Sequence, residues 1–243
     1  MSLKGLSPRT IATYVAGVAF YHKIRDWPDP THDFVVSKLL ARCRRDLLQA
    51  ISNLSHTCAS QYEAVMFRAA MLCAFFGFMR IGEFAAVSRR RWQDSLLMRQ
   101  DVHVNDSDLH TVSVVFSFRN SKNNKGGQAQ RVRLTQCTDR SLCPVRAMTE
   151  FLANRPRSRG PLFCHFDGSP LTQYQFNAMF RKVLSFIDCA ESHYSAHSFR
   201  IGAATTAAEL GVRRTDIQEM GRWRSQAVSS YIRPAVACQM PNV

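Results

Sequence analysis

A handful of polar residues stand where an ordinary apolar core has no use for them. Arg80 follows directly on the apolar run from Ala69 to Met79, and Glu83 stands one helical turn further on. In HSFR, His197 and Arg200 are three apart, so on a helix both side chains leave the same face. At a helix start that face also favours an anion. The stretch FRNSKNNKGGQAQRVR carries Arg119, Lys122, Lys125, Arg131 and Arg133 with no acid among them. A basic hairpin of that kind suits a phosphate backbone. Tyr231 adds a phenol, framed by GRWRS before it and IRP after it. These types can capture a phosphate and move protons near it. Each also has a bland reading taken alone: a helix-end ion pair for Arg80 and Glu83, a capping histidine beside a solvated arginine, a solvated turn, and a packing tyrosine.

These residues must be positioned by helices and a small sheet. A helix around 59–79, rich in Ala, Phe and Met, reads as a buried centre. Thr111 to Phe118 alternates, with Val112, Val114, Phe116 and Phe118 on one face. Gly126-Gly127 marks a turn, and Val132 and Leu134 alternate in a returning strand. After Pro144 the pattern is helical over roughly 144–153, 172–188, 197–210, 213–220 and 226–233, with Gly211 and Gly221 at C-cap positions and Pro234 closing the last helix. The fold class is mainly α with a small antiparallel β-sheet. Ahead of it, Ser7 and Pro8 open one short helix and Asp29-Pro30 a second. Two helices bury too little to stand alone. Residues 1–43 are therefore read as part of a small helical domain and 44–243 as the main domain.

Composition narrows the partner. Lys and Arg number 32 against 18 Asp and Glu, a formal charge of +14, and phosphate polymers are the commonest partner of such an excess. A membrane-surface protein would need a Lys-rich amphipathic helix or a lipidation signal, and neither is visible. The longest apolar run is far short of the ~20 residues that span a bilayer. Eight cysteines are scattered without a CxxC, which suits buried thiols in a reducing, intracellular compartment. His193 and His197 lack the glutamate of HExxH, and no GxxxxGK[ST] loop occurs, so neither metal nor nucleotide cofactor is expected.

Arg80, a hairpin lysine, His-x-x-Arg, a tryptophan and Tyr231, in this order, resemble the tyrosine recombinase (phage integrase) family. The resemblance covers about residues 60–235, and eukaryotic mobile-element recombinases such as cryptons are similar around GRW. It implies a core-binding helical domain ahead of a catalytic domain, which makes 1–43 a truncated core-binding part or the remnant of a decayed element. It implies that Arg80 and Arg200 hold the scissile phosphate of double-stranded DNA and that Tyr231 attacks it, giving a 3′-phosphotyrosyl link. His197 would assist the phenol, and Lys122, with Lys125 as fallback, would protonate the leaving 5′ oxygen. Glu83 would support Arg80. The family places a His or Trp directly after the glycine, nine residues before the tyrosine. Here that position is Arg222 and Trp223 follows it, so Trp223 takes the role and Arg222 supports it. Arg119, Arg131 and Arg133 would contact DNA. The implied assembly is a homotetramer on DNA, without a membrane, in the nucleus of a eukaryotic host. A catalytically silent DNA-binding protein and a type IB topoisomerase are the competing readings.

Overall fold

The computed structural model describes residues 49–105, 112–119, 130–137, 139–157, 159–187, 194–224 and 226–232. The two helices read over 1–43, Lys122, Lys125, the Gly126-Gly127 turn, His193 and Pro234 lie outside the described residues.

The short helix α1 (Leu54–Thr57) leads into α2 (Gln61–Phe76), which Ser60 caps by accepting the Glu63 N–H at 3.2 Å. From Ala64 to Phe75 every residue except Arg68 is buried, so α2 is wrapped on all sides and forms the centre of the domain. It ends at Gly77, and Phe78 takes a left-handed φ of 49° that turns the chain into α3 (Ile81–Phe84).

A single 3-10 turn, Arg99–Asp101, delivers the chain to β1 (Val102–Asn105), followed by β2 (Ser113–Phe118) and β3 (Gln130–Thr135). The sheet is antiparallel in the order β1-β2-β3, with Val102 opposite Phe116 and Phe116 opposite Val132. Period-two alternation sends Val114, Phe116, Phe118 and Leu134 inward and leaves Arg131 and Arg133 exposed. Strand β1 was not legible in the sequence, because in four residues only Val102 is buried while Val104 stays exposed.

The remaining helices are α4 (Pro144–Asn154), α5 (Gln173–Phe186), α6 (Ala196–Glu209) and α7 (Arg214–Met220). Pro144 occupies the first turn of α4, where its missing N–H costs nothing. Thr172 and Gln175 close a capping box on α5. Helices α4 and α6 pack on α2, and aromatic pairs knit the layers: Phe84 with Phe176 at 4.9 Å, Phe180 with Phe199 at 4.8 Å and Phe151 with Phe163 at 5.4 Å between ring centroids. The helix expected over 226–233 is instead a 3-10 turn, Gln226–Ser230, with Tyr231 just after it. The turn is anchored by the buried Val228 and by the Thr205 hydroxyl of α6, which holds the Tyr231 carbonyl at 3.1 Å.

The two glycines near helix ends serve different purposes. Gly211 follows α6 at φ +79°, with open space where a Cβ would go. Gly221 caps α7 with an ordinary right-handed backbone, and a Cβ there would overlap the Trp223 indole. The left-handed residue after α7 is Arg222, at φ 57°. Gly211→Ala is therefore expected to cost about 1 kcal/mol through backbone strain alone. Gly221→Ala must displace a packed ring and is expected to cost about 3 kcal/mol. Denaturant midpoints of the two variants check this; equal costs would contradict the distinction.

Candidate active site

Three chain reversals bring the polar residues together. The first follows α2. With its φ in the left-handed region, Phe78 directs its carbonyl away from the helix axis, and Arg80 becomes the N-cap of α3. Arginine has no oxygen with which to cap, and Glu83, three residues on, supplies the carboxylate instead. Its Oε2 accepts the Arg80 N–H at 2.8 Å and its Oε1 accepts Arg80 Nη1 at 3.0 Å. The second is the start of α6. Ser195 is the cap and accepts the His197 N–H at 3.3 Å, so His197 does not cap the helix and its exposed ring lies one turn from Arg200. The third is the turn at Gly221 and Arg222, which aims Trp223 back at α6.

Arg200 is buried, only 2% exposed, rather than solvated. Its Nη1 donates to the Phe78 carbonyl and its Nη2 to the Gly221 carbonyl, tying the first reversal to the third. Its guanidinium lies 4.0 Å from the centre of the Trp223 ring and 5.8 Å from that of Tyr231. The Tyr231 ring sits 4.8 Å from Trp223 and 5.0 Å from His197. Tyr231 is fastened there by its own carbonyl, which accepts from Thr205 Oγ1 of α6 at 3.1 Å, and by its N–H to Val228 at 3.0 Å. Arg222 is buried as well. Its Nη2 donates to Glu83 Oε2 at 2.9 Å and to the Phe78 carbonyl at 3.3 Å, and its guanidinium stacks 4.1 Å over the Phe118 ring.

The electrostatics are lopsided. Among the described residues Arg80 and Arg222 both bond one carboxylate, Glu83, whose side chain is 4% exposed, and Arg200 feels its charge without bonding it. Burial pulls the pKa of Arg200 down to about 10, and the positive charges of Arg80 and Arg222 add to that; Glu83 offsets part of it. Burial likewise lowers Arg222, against the support of Glu83. A pocket with surplus buried positive charge is completed by an anion, and its planar guanidinium groups suit a phosphate.

Of the residues singled out in the sequence, Arg80, Glu83, His197, Arg200, Arg222, Trp223 and Tyr231 meet at this one place. Arg119 is paired with Asp101 at 2.7 Å and largely exposed, and Arg131 and Arg133 line the outer face of β3. Sequence reading missed the Phe78 carbonyl, which two guanidinium groups share, and the Thr205 hydroxyl that pins the tyrosine. The first depends on a backbone angle that no residue type signals at Phe78; the second is one threonine among ordinary helix residues. Among the described residues no group of His, Cys, Asp and Glu is arranged to hold a metal, and no helix is long and apolar enough to cross a membrane.

An integrase/recombinase XerD homolog of Selenomonas ruminantium is 25% identical over 145 residues, which are 54% of this chain and 41% of that protein. Among solved structures, the XerH site-specific recombinase bound to its difH substrate in a pre-cleavage complex superposes with a TM-score of 0.56 at 18% identity, over 77% of this chain and 47% of that one. FLP recombinase in a Holliday junction complex gives a TM-score of 0.51 at 12% identity, over 97% of this chain and 57% of that one. These two share the fold with it. The chain thus spans less than half the length of the curated relative and of XerH. The phage integrase family itself matches residues 45–237. The chain belongs to the phage integrase family.

Proposed function

We propose that this chain breaks and rejoins DNA strands as a site-specific recombinase or integrase, through a covalent link between Tyr231 and a 3′ phosphate. The observation that carries the reading is the convergence on the Tyr231 ring of His197, Trp223 and Arg200, within 5.0, 4.8 and 5.8 Å. Side chains from α6 and from the turn after α7 thus meet around a phenol beside a pocket with surplus positive charge. Family membership supports the same reaction class, and the XerH relative was solved with its DNA substrate before and after cleavage.

A phosphodiester repels nucleophiles by its own negative charge, which the guanidinium groups of Arg80 and Arg200 would offset as charge grows on the non-bridging oxygens. The Tyr231 oxygen forms a bond to phosphorus while the bond to the 5′ oxygen breaks. The phenol proton passes toward His197, and Lys122 returns a proton to the departing 5′ oxygen. Trp223 holds Arg200 from behind by its ring face. The phosphotyrosyl link keeps the phosphate activated, so a 5′ hydroxyl can reverse the reaction on the same or another strand. The partner is double-stranded DNA, gripped also by Arg119, Arg131 and Arg133. The acting form is a tetramer on DNA, in the nucleus if the source is a eukaryotic mobile element.

Two outcomes check this reading. Incubated with labelled, nicked DNA whose short 5′ fragment diffuses away, the protein should yield an adduct that survives a denaturing gel. Tyr231→Phe should abolish it while DNA binding persists, and His197→Ala and Arg200→Ala should each slow it by about 10²–10⁴-fold. An adduct formed by Tyr231→Phe would place the nucleophile elsewhere. DNA affinity, moreover, should fall with salt at a log–log slope on the order of −5 or steeper, and a flat titration between low and physiological salt would contradict a phosphate-gripping surface.

A further inference from the structure

Arg222 bonds Glu83 and the Phe78 carbonyl and stacks on Phe118, yet it has no part in the reaction proposed above. Its side chain is 5% exposed and already committed to Glu83, the Phe78 carbonyl and the Phe118 ring, whereas that of Arg80 is 33% exposed and bonds Glu83 through Nη1. Two of its nitrogens, Nε and Nη1, are buried without a hydrogen-bond partner, and burial disfavours its charge. A buried, half-satisfied guanidinium costs stability, so its contribution must lie in the one strong contact it makes. That contact is with Glu83 Oε2, at 2.9 Å, the oxygen that also accepts the Arg80 backbone N–H at 2.8 Å. Arg80 Nη1 holds the other oxygen, Oε1, at 3.0 Å.

The geometry points to Arg222 as a positioning residue: by donating to Glu83 Oε2 beside the Arg80 backbone N–H it fills the remaining acceptor site of that oxygen, so the Arg80 side chain bonds the carboxylate through Nη1 and keeps the rest of its fork for the scissile phosphate. With that acceptor site free, Oε2 could take a second Arg80 nitrogen beside the backbone N–H, giving the two parallel bonds that arginine forms with carboxylates. Without Arg222, Glu83 would carry its full charge opposite Arg80 and compete with the substrate phosphate for the same donors. With Arg222 in place that charge is shared between two guanidinium groups, and the competition is weakened. Stacking on Phe118 at 4.1 Å and the bond to the Phe78 carbonyl fix Arg222 so that it cannot itself swing toward the substrate. The inference rests on the reading of Arg80 as a phosphate ligand.

The test compares Arg222→Met, Arg222→Lys and the double variant Glu83→Gln with Arg222→Met. Two readouts are taken on the full chain: the single-turnover rate of adduct formation on nicked DNA, and the affinity for orthovanadate by calorimetric titration, which needs no strand cleavage. Arg222→Met should slow the adduct by about 100-fold, the scale of a misplaced catalytic group, and weaken orthovanadate about tenfold, with DNA affinity held within about threefold. Arg222→Lys keeps a cation on Glu83 and should recover most of both losses. The double variant should also recover at least tenfold of the rate, because a neutral amide does not compete for Arg80. A merely structural role predicts the opposite: a double variant worse than the single one, with rates following melting temperature. That result, or unchanged orthovanadate affinity in Arg222→Met, overturns the inference. Wild-type protein that makes no adduct would instead count against the strand-transfer reading, while the orthovanadate series still decides the role of Arg222.

Discussion

One carbonyl oxygen organises the pocket. Phe78, held at a φ that L-residues seldom adopt, presents its C=O to the guanidinium groups of both Arg200 and Arg222. Backbone strain of this kind costs on the order of 1–3 kcal/mol and persists only where surrounding contacts outweigh it. Here those contacts are two charge-assisted hydrogen bonds and the edge-on packing of the Phe78 ring against Trp223 at 6.0 Å. The other non-glycine residue with positive φ among those described is Arg222 itself. Two sharp reversals, at 78 and 222, therefore face each other across Arg200 and stabilise one another.

The second organising fact is that charge neutrality is left incomplete. A core built for stability alone would match three guanidinium groups with three acids or replace them by apolar side chains. Among the described residues this one supplies a single carboxylate and a few carbonyl dipoles. The shortfall lies at the mouth of α3 and the start of α6, and beside it Phe84, Phe176, Phe180 and Phe199 pack ring against ring. Stability comes from that aromatic layer and from α2, which lets the pocket keep an arrangement that is unfavourable until an anion arrives.

Most of the secondary structure was legible from local pattern. Helices α4 to α7 lie within two or three residues of the periodic segments, because Pro144, Thr172 and Gly221 mark their ends by mechanisms that depend on neighbouring residues only. Strand β2 was legible from its inward Val114, Phe116 and Phe118. What escaped were features whose cause lies far away in the chain. Strand β1 owes its existence to pairing with β2, and the 3-10 turn before Tyr231 owes its shape to docking on α6 through Thr205. The burial of Arg200 escaped for the same reason. Nothing in HSFR tells that its second basic residue sits under Trp223 rather than in solvent. The order of polar residues marked which ones meet; the backbone angles that make them meet were not readable.

The span from Arg80 to Tyr231 has a consequence for how the protein comes to be active. Contacts between residues so distant in the chain close large loops, and such contacts form late, after local helices and hairpins. During synthesis Arg80 and α2 emerge long before Trp223 and Tyr231, and domains assemble in that order. An incompletely folded or interrupted chain thus holds basic surface but no phenol near Arg200. It could hold on to nucleic acid without being able to nick it. On the reaction proposed above, competence for breakage would be reserved to the last stage of folding, and a half-made protein would pose little hazard to the DNA around it.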